Sequence, residues 1–154
     1  MATELSNIYR GDASDSSPLT ERAGTLRIYT AGKHFADGQL SLEIASSDND
    51  GFGVAFRLTD AEEHYLFAMD AQRSFRVLAG KRGNVYRVLA HNDRGYQANR
   101  WYQLRIVLDG PRITVFVDGE KDLEAVDGTL PRGTFALYSW GSTGAKFRNL
   151  RWQE

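Results

Sequence analysis

The dipeptide Asp-Gly occurs five times in this chain, at 37–38, 50–51, 109–110, 118–119 and 127–128. Random placement of the Asp and Gly present in 154 residues would give about one such pair. Asp-Gly is a strong short turn signal because glycine takes positive φ at little steric cost. A chain interrupted this often by tight turns has little room for long helices. The segments between the turns alternate. Leu40, Leu42 and Ile44 share one face, with Ser41 and Glu43 on the other. Phe52, Val54, Phe56 and Leu58 form a second such row, and Tyr65, Phe67 and Met69 a third. Leu104, Ile106 and Leu108, then Ile113, Val115 and Val117, continue the pattern. Period two with β-branched and aromatic enrichment specifies half-buried strands.

The expected strands are 5–9, 24–30, 39–46, 52–58, 64–70, 74–79, 84–90, 101–108, 112–118, 122–126, 133–140 and 146–152. Thr59-Asp60-Ala61-Glu62 looks like a helix start but leaves room for one turn at most. Twelve short strands imply an all-β, two-sheet antiparallel sandwich or jelly roll. Residues 1–154 read as a single domain with no internal repeat, and Asp12 to Pro18 reads as a polar loop.

Charge and composition narrow the function. Nineteen Lys+Arg against twenty Asp+Glu give a net charge of −1, so the basic excess of a nucleic-acid binder is missing. No apolar run approaches the roughly 20 residues of a membrane span, and the N-terminus has no signal-peptide pattern. With no cysteine, disulfides, thiolate metal sites and thiol catalysis are excluded. Fifteen of the nineteen cations are Arg, whose planar fork suits carboxylates and hydroxyl pairs.

Several segments, in order, resemble the concanavalin A-like lectin/glucanase superfamily, nearest to laminin G-like and thrombospondin C-terminal jelly rolls. They are Asp48–Arg57 followed by His64–Asp70, then Trp101-Tyr102-Gln103-Leu104-Arg105-Ile106 and Ile113-Thr114-Val115-Phe116-Val117-Asp118-Gly119. Gly133–Tyr138 and Phe147-Arg148-Asn149-Leu150 complete the series, with Ala136 where the resembled pattern has a second Gly. The likeness implies a concanavalin A-like jelly roll, in a superfamily that holds lectins, carbohydrate-binding modules, adhesion modules and glycosidases. Keto-disaccharide hydrolase-type domains share the G-x-x-F-R … Y-x-F pattern, which keeps an enzyme reading open. The glucanase strand, with two Glu flanking an Asp, has no counterpart around Glu43.

The expected function is a non-catalytic, lectin-like module of a larger secreted or surface protein, with a glycan as partner. The alternatives are a structural or adhesion module meeting another protein, and a glycoside hydrolase. The candidate ligand-binding residues are Arg57, Asp70, Arg73, Arg76, Tyr138 and Trp140. Sugars are held by rings against their C–H faces and by charged groups on their hydroxyls. Alternation points Phe56 and Leu58 inward and Arg57, Tyr138 and Trp140 outward.

Asp48, Asn49 and Asp50 are candidate ligands for a structural Ca²⁺, read alongside a plain polar hairpin turn. Their register rules out an EF-hand, and further ligands, such as Asp12 or Asp37, would be needed. His34, His64 and His91 fall in no metal or nucleophile pattern, and His64 and His91 read as exposed strand ends. Arg10-Gly11-Asp12 reads as turn chemistry. Gly80-Lys81-Arg82-Gly83-Asn84 is a basic hairpin, read as a solvated turn or as a contact for an acidic partner.

Overall fold

The computed structural model describes residues 2–4, 24–30, 33–83 and 85–154. These hold twelve strands: β1 (Ala2–Glu4), β2 (Gly24–Ile28), β3 (Gly38–Ser46), β4 (Gly51–Asp60), β5 (Glu63–Asp70), β6 (Phe75–Arg82), β7 (Val85–Asn92), β8 (Tyr102–Asp109), β9 (Arg112–Val117), β10 (Glu120–Val126), β11 (Thr134–Trp140) and β12 (Ala145–Gln153). No helix occurs among the described residues, so none is long and apolar enough to cross a membrane. The expected strand 5–9, the Arg-Gly-Asp tripeptide and the Asp12–Pro18 loop lie outside the described residues.

The strands form two antiparallel sheets. The seven-stranded sheet runs β1-β2-β11-β4-β5-β6-β7, and the five-stranded sheet runs β10-β9-β8-β3-β12. The predicted alternation is what closes them. Leu40, Leu42 and Ile44 from β3 and Leu104, Ile106 and Leu108 from β8 face Phe52, Val54, Phe56, Tyr65, Phe67 and Met69 across one core. Each fully buried Phe, Leu or Val side chain contributes about 1.5–3 kcal/mol of transfer free energy to holding the layers together.

The Asp-Gly pairs divide by role. Asp118-Gly119 is a two-residue hairpin turn between β9 and β10, with φ of 53° and 82°, the left-handed pair that a tight hairpin requires. Asp50-Gly51 is different. It ends the segment that carries the chain from β3 in one sheet to β4 in the other, so it is a crossover rather than the hairpin turn expected.

Leu58 departs from the predicted row. Between Ala55 and Leu58 the pairing of β4 with β11 slips by one residue: Ala136 pairs with Ala55 but Thr134 with Leu58. Arg57 takes φ 46° there. Such a bulge adds one residue to a strand and reverses the facing of the residues beyond it. Leu58 therefore joins Ala55 on the outer face, and Arg57 turns inward.

Candidate functional site

The outer face of the seven-stranded sheet has its own apolar layer. Its register places Leu26, Tyr138, Gly53, Ala68 and Val77 in one row across five strands. Ile28, Ala136, Ala55, Leu66 and Ala79 form the next. Gly53 admits no side chain, since a Cβ would sit 1.9 Å from the Phe67 carbonyl oxygen. Tyr138 and Trp140 lie on this face as expected, but both are buried, at 0% and 5% exposure.

Four of the six predicted ligand-binding residues gather on this side. The Asp70 carboxylate accepts the Arg73 backbone N–H at 2.8 Å and its guanidinium at 3.1 Å. That guanidinium lies 4.8 Å from the centre of the Trp140 ring and 3.6 Å from the Asp50 carboxylate. Burial pushes the Asp70 carboxyl up, and the attraction of Arg73 only partly offsets it. Asp70, Arg73 and Trp140 thus form one packed corner, with Tyr138 two residues along β11.

Arg57 and Arg76 are elsewhere. The expectation that Arg57 emerges on the sheet face is overturned by the bulge. Its guanidinium bonds to the carbonyls of Gly110 (2.8 Å), Ala36 (3.2 Å) and Leu130 (3.4 Å) and to the Asp37 carboxylate (3.3 Å), and only 2% of the residue is exposed. It ties three connections together at one end of the sandwich. Arg76 also faces inward. Its Nε donates to the Gly95 carbonyl and one terminal nitrogen to Asp122, both at 2.8 Å.

The carboxylates proposed for calcium serve different partners. Asp48 accepts the backbone N–H of Asn49 (2.8 Å) and of Thr143 (3.2 Å) and the Thr143 hydroxyl (3.4 Å). These hold its carboxyl below the usual range. Asp50 faces Arg73. Tyr96 fixes the loop from beneath by donating to the Asp50 and Asp48 carbonyls. Among the described residues, no three His, Cys, Asp or Glu side chains come together as a metal site.

His64 is not an exposed strand end either; it is fully buried. Its Nε2 lies 2.7 Å from the Tyr86 hydroxyl and its Nδ1 3.4 Å from the Asp60 carbonyl. Burial, with the nearby Lys81 ammonium, lowers its pKa to about 4, so the ring is neutral at pH 7.

An open concavity of mixed polar and apolar lining lies at the turn end of the β6–β7 hairpin. Here Gly80, Arg82, Val85 and Arg87 lie on the inward side of the hairpin, in register with one another and with Tyr65 of β5. The connection after β10 supplies the opposite wall with Asp127, Thr129 and Leu130, leaving a cleft of about 310 Å³. A Cβ at Gly80 would rest in ordinary contact on the Tyr65 ring, 3.5 Å away, so a larger side chain there would project into the cleft. The Tyr65 hydroxyl donates to Asp127 at 2.6 Å and accepts the Leu130 N–H at 3.2 Å. Burial pushes the Tyr65 hydroxyl up to about 12. At Asp127, burial acts upward, but the Tyr65 hydroxyl and the Thr129 N–H outweigh it and hold the carboxyl below its ordinary value. Arg87 is 3.8 Å from the outer Asp127 oxygen, with its side chain 80% exposed. The alternation rule missed this site because three of its residues sit on a connection with no periodicity. The basic hairpin at 80–84 was its one visible trace.

The structure is similar to that of several solved proteins. The carbohydrate-binding module CBM66 from Bacillus subtilis aligns with a TM-score of 0.76 at 21% identity, over 86% of this chain and 82% of that one. The galectin LEC-6 of Caenorhabditis elegans aligns at 0.65 and 16%, over 85% and 96%. CG-16, a homodimeric agglutinin from chicken liver, aligns at 0.60 and 16%, over 81% and 99%. At these identities the likeness establishes the fold. No curated protein matches the sequence. The family described as the 3-keto-alpha-glucoside-1,2-lyase-like domain matches residues 13–153. A match over that span, on a sandwich of this topology, means that the chain belongs to the 3-keto-alpha-glucoside-1,2-lyase-like domain family.

Proposed function

We propose that this domain binds carbohydrate without transforming it, and that the sugar sits in the cleft between the β6–β7 hairpin and the β10–β11 connection. The carrying observation is the row Gly80, Arg82, Val85 and Arg87, which faces Asp127 and Thr129 across open space. A carboxylate, a hydroxyl and two guanidinium forks can bond vicinal hydroxyls, while Val85, Leu89 and Leu130 offer apolar surface to the C–H faces. That a carbohydrate-binding module, a galectin and an agglutinin share the fold supports a sugar as the ligand.

The family's name favours a second reading, hydrolase or lyase chemistry. Glycoside hydrolysis of the usual kind needs two carboxyl groups, one of them kept protonated. Asp127 is the one carboxylate among the described residues lining the cleft, and its bonding favours the ionised form. Tyr65 holds its proton to about 12. This equipment suits binding better than acid–base catalysis.

Titration of ¹⁵N-labelled protein with a panel of neutral and acidic oligosaccharides tests the proposal, with reducing-sugar release measured on the same samples. Amide shifts centred on Gly80, Arg82, Val85, Arg87 and Thr129, with no release, are expected. Silence at millimolar oligosaccharide, shifts confined to another face, or turnover would each overturn it.

A further inference from the structure

We infer that the cleft selects acidic sugars, specifically oligosaccharides carrying uronate carboxylates; this rests on the carbohydrate-binding reading above. The cleft wall carries two guanidinium groups, Arg82 and Arg87, against the single carboxylate of Asp127. That carboxylate is engaged by the Tyr65 hydroxyl and the Thr129 N–H, and Arg87 reaches it only at 3.8 Å. The other charges nearby are directed elsewhere. Glu63 stands opposite Arg82 in the β5–β6 register, but it does not line the cleft, and its carboxylate lies 3.5 Å from the Thr59 hydroxyl. The Lys81 ammonium donates to the Ala61 carbonyl, and its side chain lies over the Tyr86 ring. The cleft mouth is therefore locally positive on a chain whose net charge is −1.

The apolar provision points the same way. A neutral sugar is commonly gripped by stacking on an exposed aromatic ring. The aromatic residue lining this cleft, Tyr65, is 1% exposed. With Val85, Leu89 and Leu130 offering aliphatic contact but no ring to stack on, selectivity here falls to charge-assisted hydrogen bonds, which a guanidinium fork makes best with a carboxylate. The basic hairpin of the sequence thus has an acidic partner of definite chemistry.

Two ligands of equal length separate the cases: tetragalacturonate, and the neutral galactotetraose that lacks its carboxylates. At low salt, tetragalacturonate should bind at least about tenfold more tightly, and the advantage should shrink as salt screens the guanidinium groups. Arg82→Gln with Arg87→Gln should reduce the two ligands to parity. Both residues are solvent-exposed, so an unchanged melting midpoint will show that the fold is intact. Gly80→Val, which fills the cleft without removing charge, should weaken both ligands and shows that the cleft, not a diffuse basic surface, is used. Tighter binding of galactotetraose, or preference for uronate that survives the double Arg variant, would overturn the inference while leaving carbohydrate binding standing. Binding of neither ligand would overturn the inference, and silence across the whole panel would overturn the underlying reading too.

Discussion

Arg76 on β6 and Asp122 on β10 form an ion pair at 2.8 Å that bridges the two sheets, with their side chains 9% and 1% exposed. The pairing depends on a register slip in β10, where Lys121 pairs with Phe116 and Leu123 with Val115, leaving Asp122 as the extra residue. The Gly95 carbonyl and the Tyr102 ring complete the surroundings of the guanidinium.

Removing one partner of a buried pair strands a charge, and such changes cost about 3–5 kcal/mol. Asp122→Ala, which strands the buried Arg76, should destabilise by that order in urea unfolding, and Arg76→Ala by less, since the exposed Arg94 guanidinium remains 3.5 Å from the Asp122 carboxylate. The double change Arg76→Met with Asp122→Leu should recover most of the loss, since an apolar pair of similar volume needs no solvation. Single variants that cost under about 1 kcal/mol would mean the pair behaves as a surface pair.

Arg57 should matter more to stability than its acidic partner does. Arg57→Gln removes bonds to three carbonyls at once, and about 2–4 kcal/mol is expected. Asp37 is 66% exposed at its side chain, so Asp37→Ala should cost about 1 kcal/mol or less. Denaturant midpoints measured side by side would reverse this order if the ion pair, rather than the carbonyl cradle, held the loops.

Much of this fold was legible. Period-two apolar rows located nearly every described strand, because a half-buried strand must alternate whatever its neighbours are. The bulge at Arg57 was not legible. One inserted residue inverted the facing of Arg57 and Leu58, and it depends on how β4 meets β11 rather than on the local sequence. The proposed ligand set of Arg57, Asp70, Arg73, Arg76, Tyr138 and Trp140 was split partly for this reason, while Arg76 faces inward by plain alternation on β6, opposite Met69. Alternation placed Tyr138 and Trp140 on the correct face, but it carries no information on whether that face is covered.

Acid should weaken the protein through His64. The folded ring has a pKa of about 4, against 6.5 for the free side chain. Below pH 6.5 the unfolded chain takes up a proton that the folded ring refuses. This contribution is whole above pH 6.5 and fades as the pH falls toward 4, by about 3 kcal/mol in all. Unfolding free energies at pH 7.0, 5.5 and 4.5 should decline accordingly, and His64→Gln should flatten that part of the decline. An equal slope in wild type and variant would assign the acid sensitivity to other groups.

Gly53 should tolerate no replacement. Its missing Cβ would overlap the Phe67 carbonyl oxygen and crowd the Ala68 Cα, both backbone atoms of the paired strand. Gly53→Ala therefore has to part β4 from β5. A loss of about 3 kcal/mol or more, or failure to accumulate folded protein, is expected. The exposed turn glycine Gly110, with nothing within 4 Å, provides the control: Gly110→Asn should cost well under about 1 kcal/mol, because Asn accepts positive φ.

The cleft has walls of two kinds. Tyr65 and Leu130 belong to the packed core, whereas Arg82, Val85 and Arg87 on the hairpin are exposed. Exposed side chains of this sort can usually be exchanged at about 0.5 kcal/mol or less each. The hairpin can therefore change what the cleft recognises while the inner wall stays as it is.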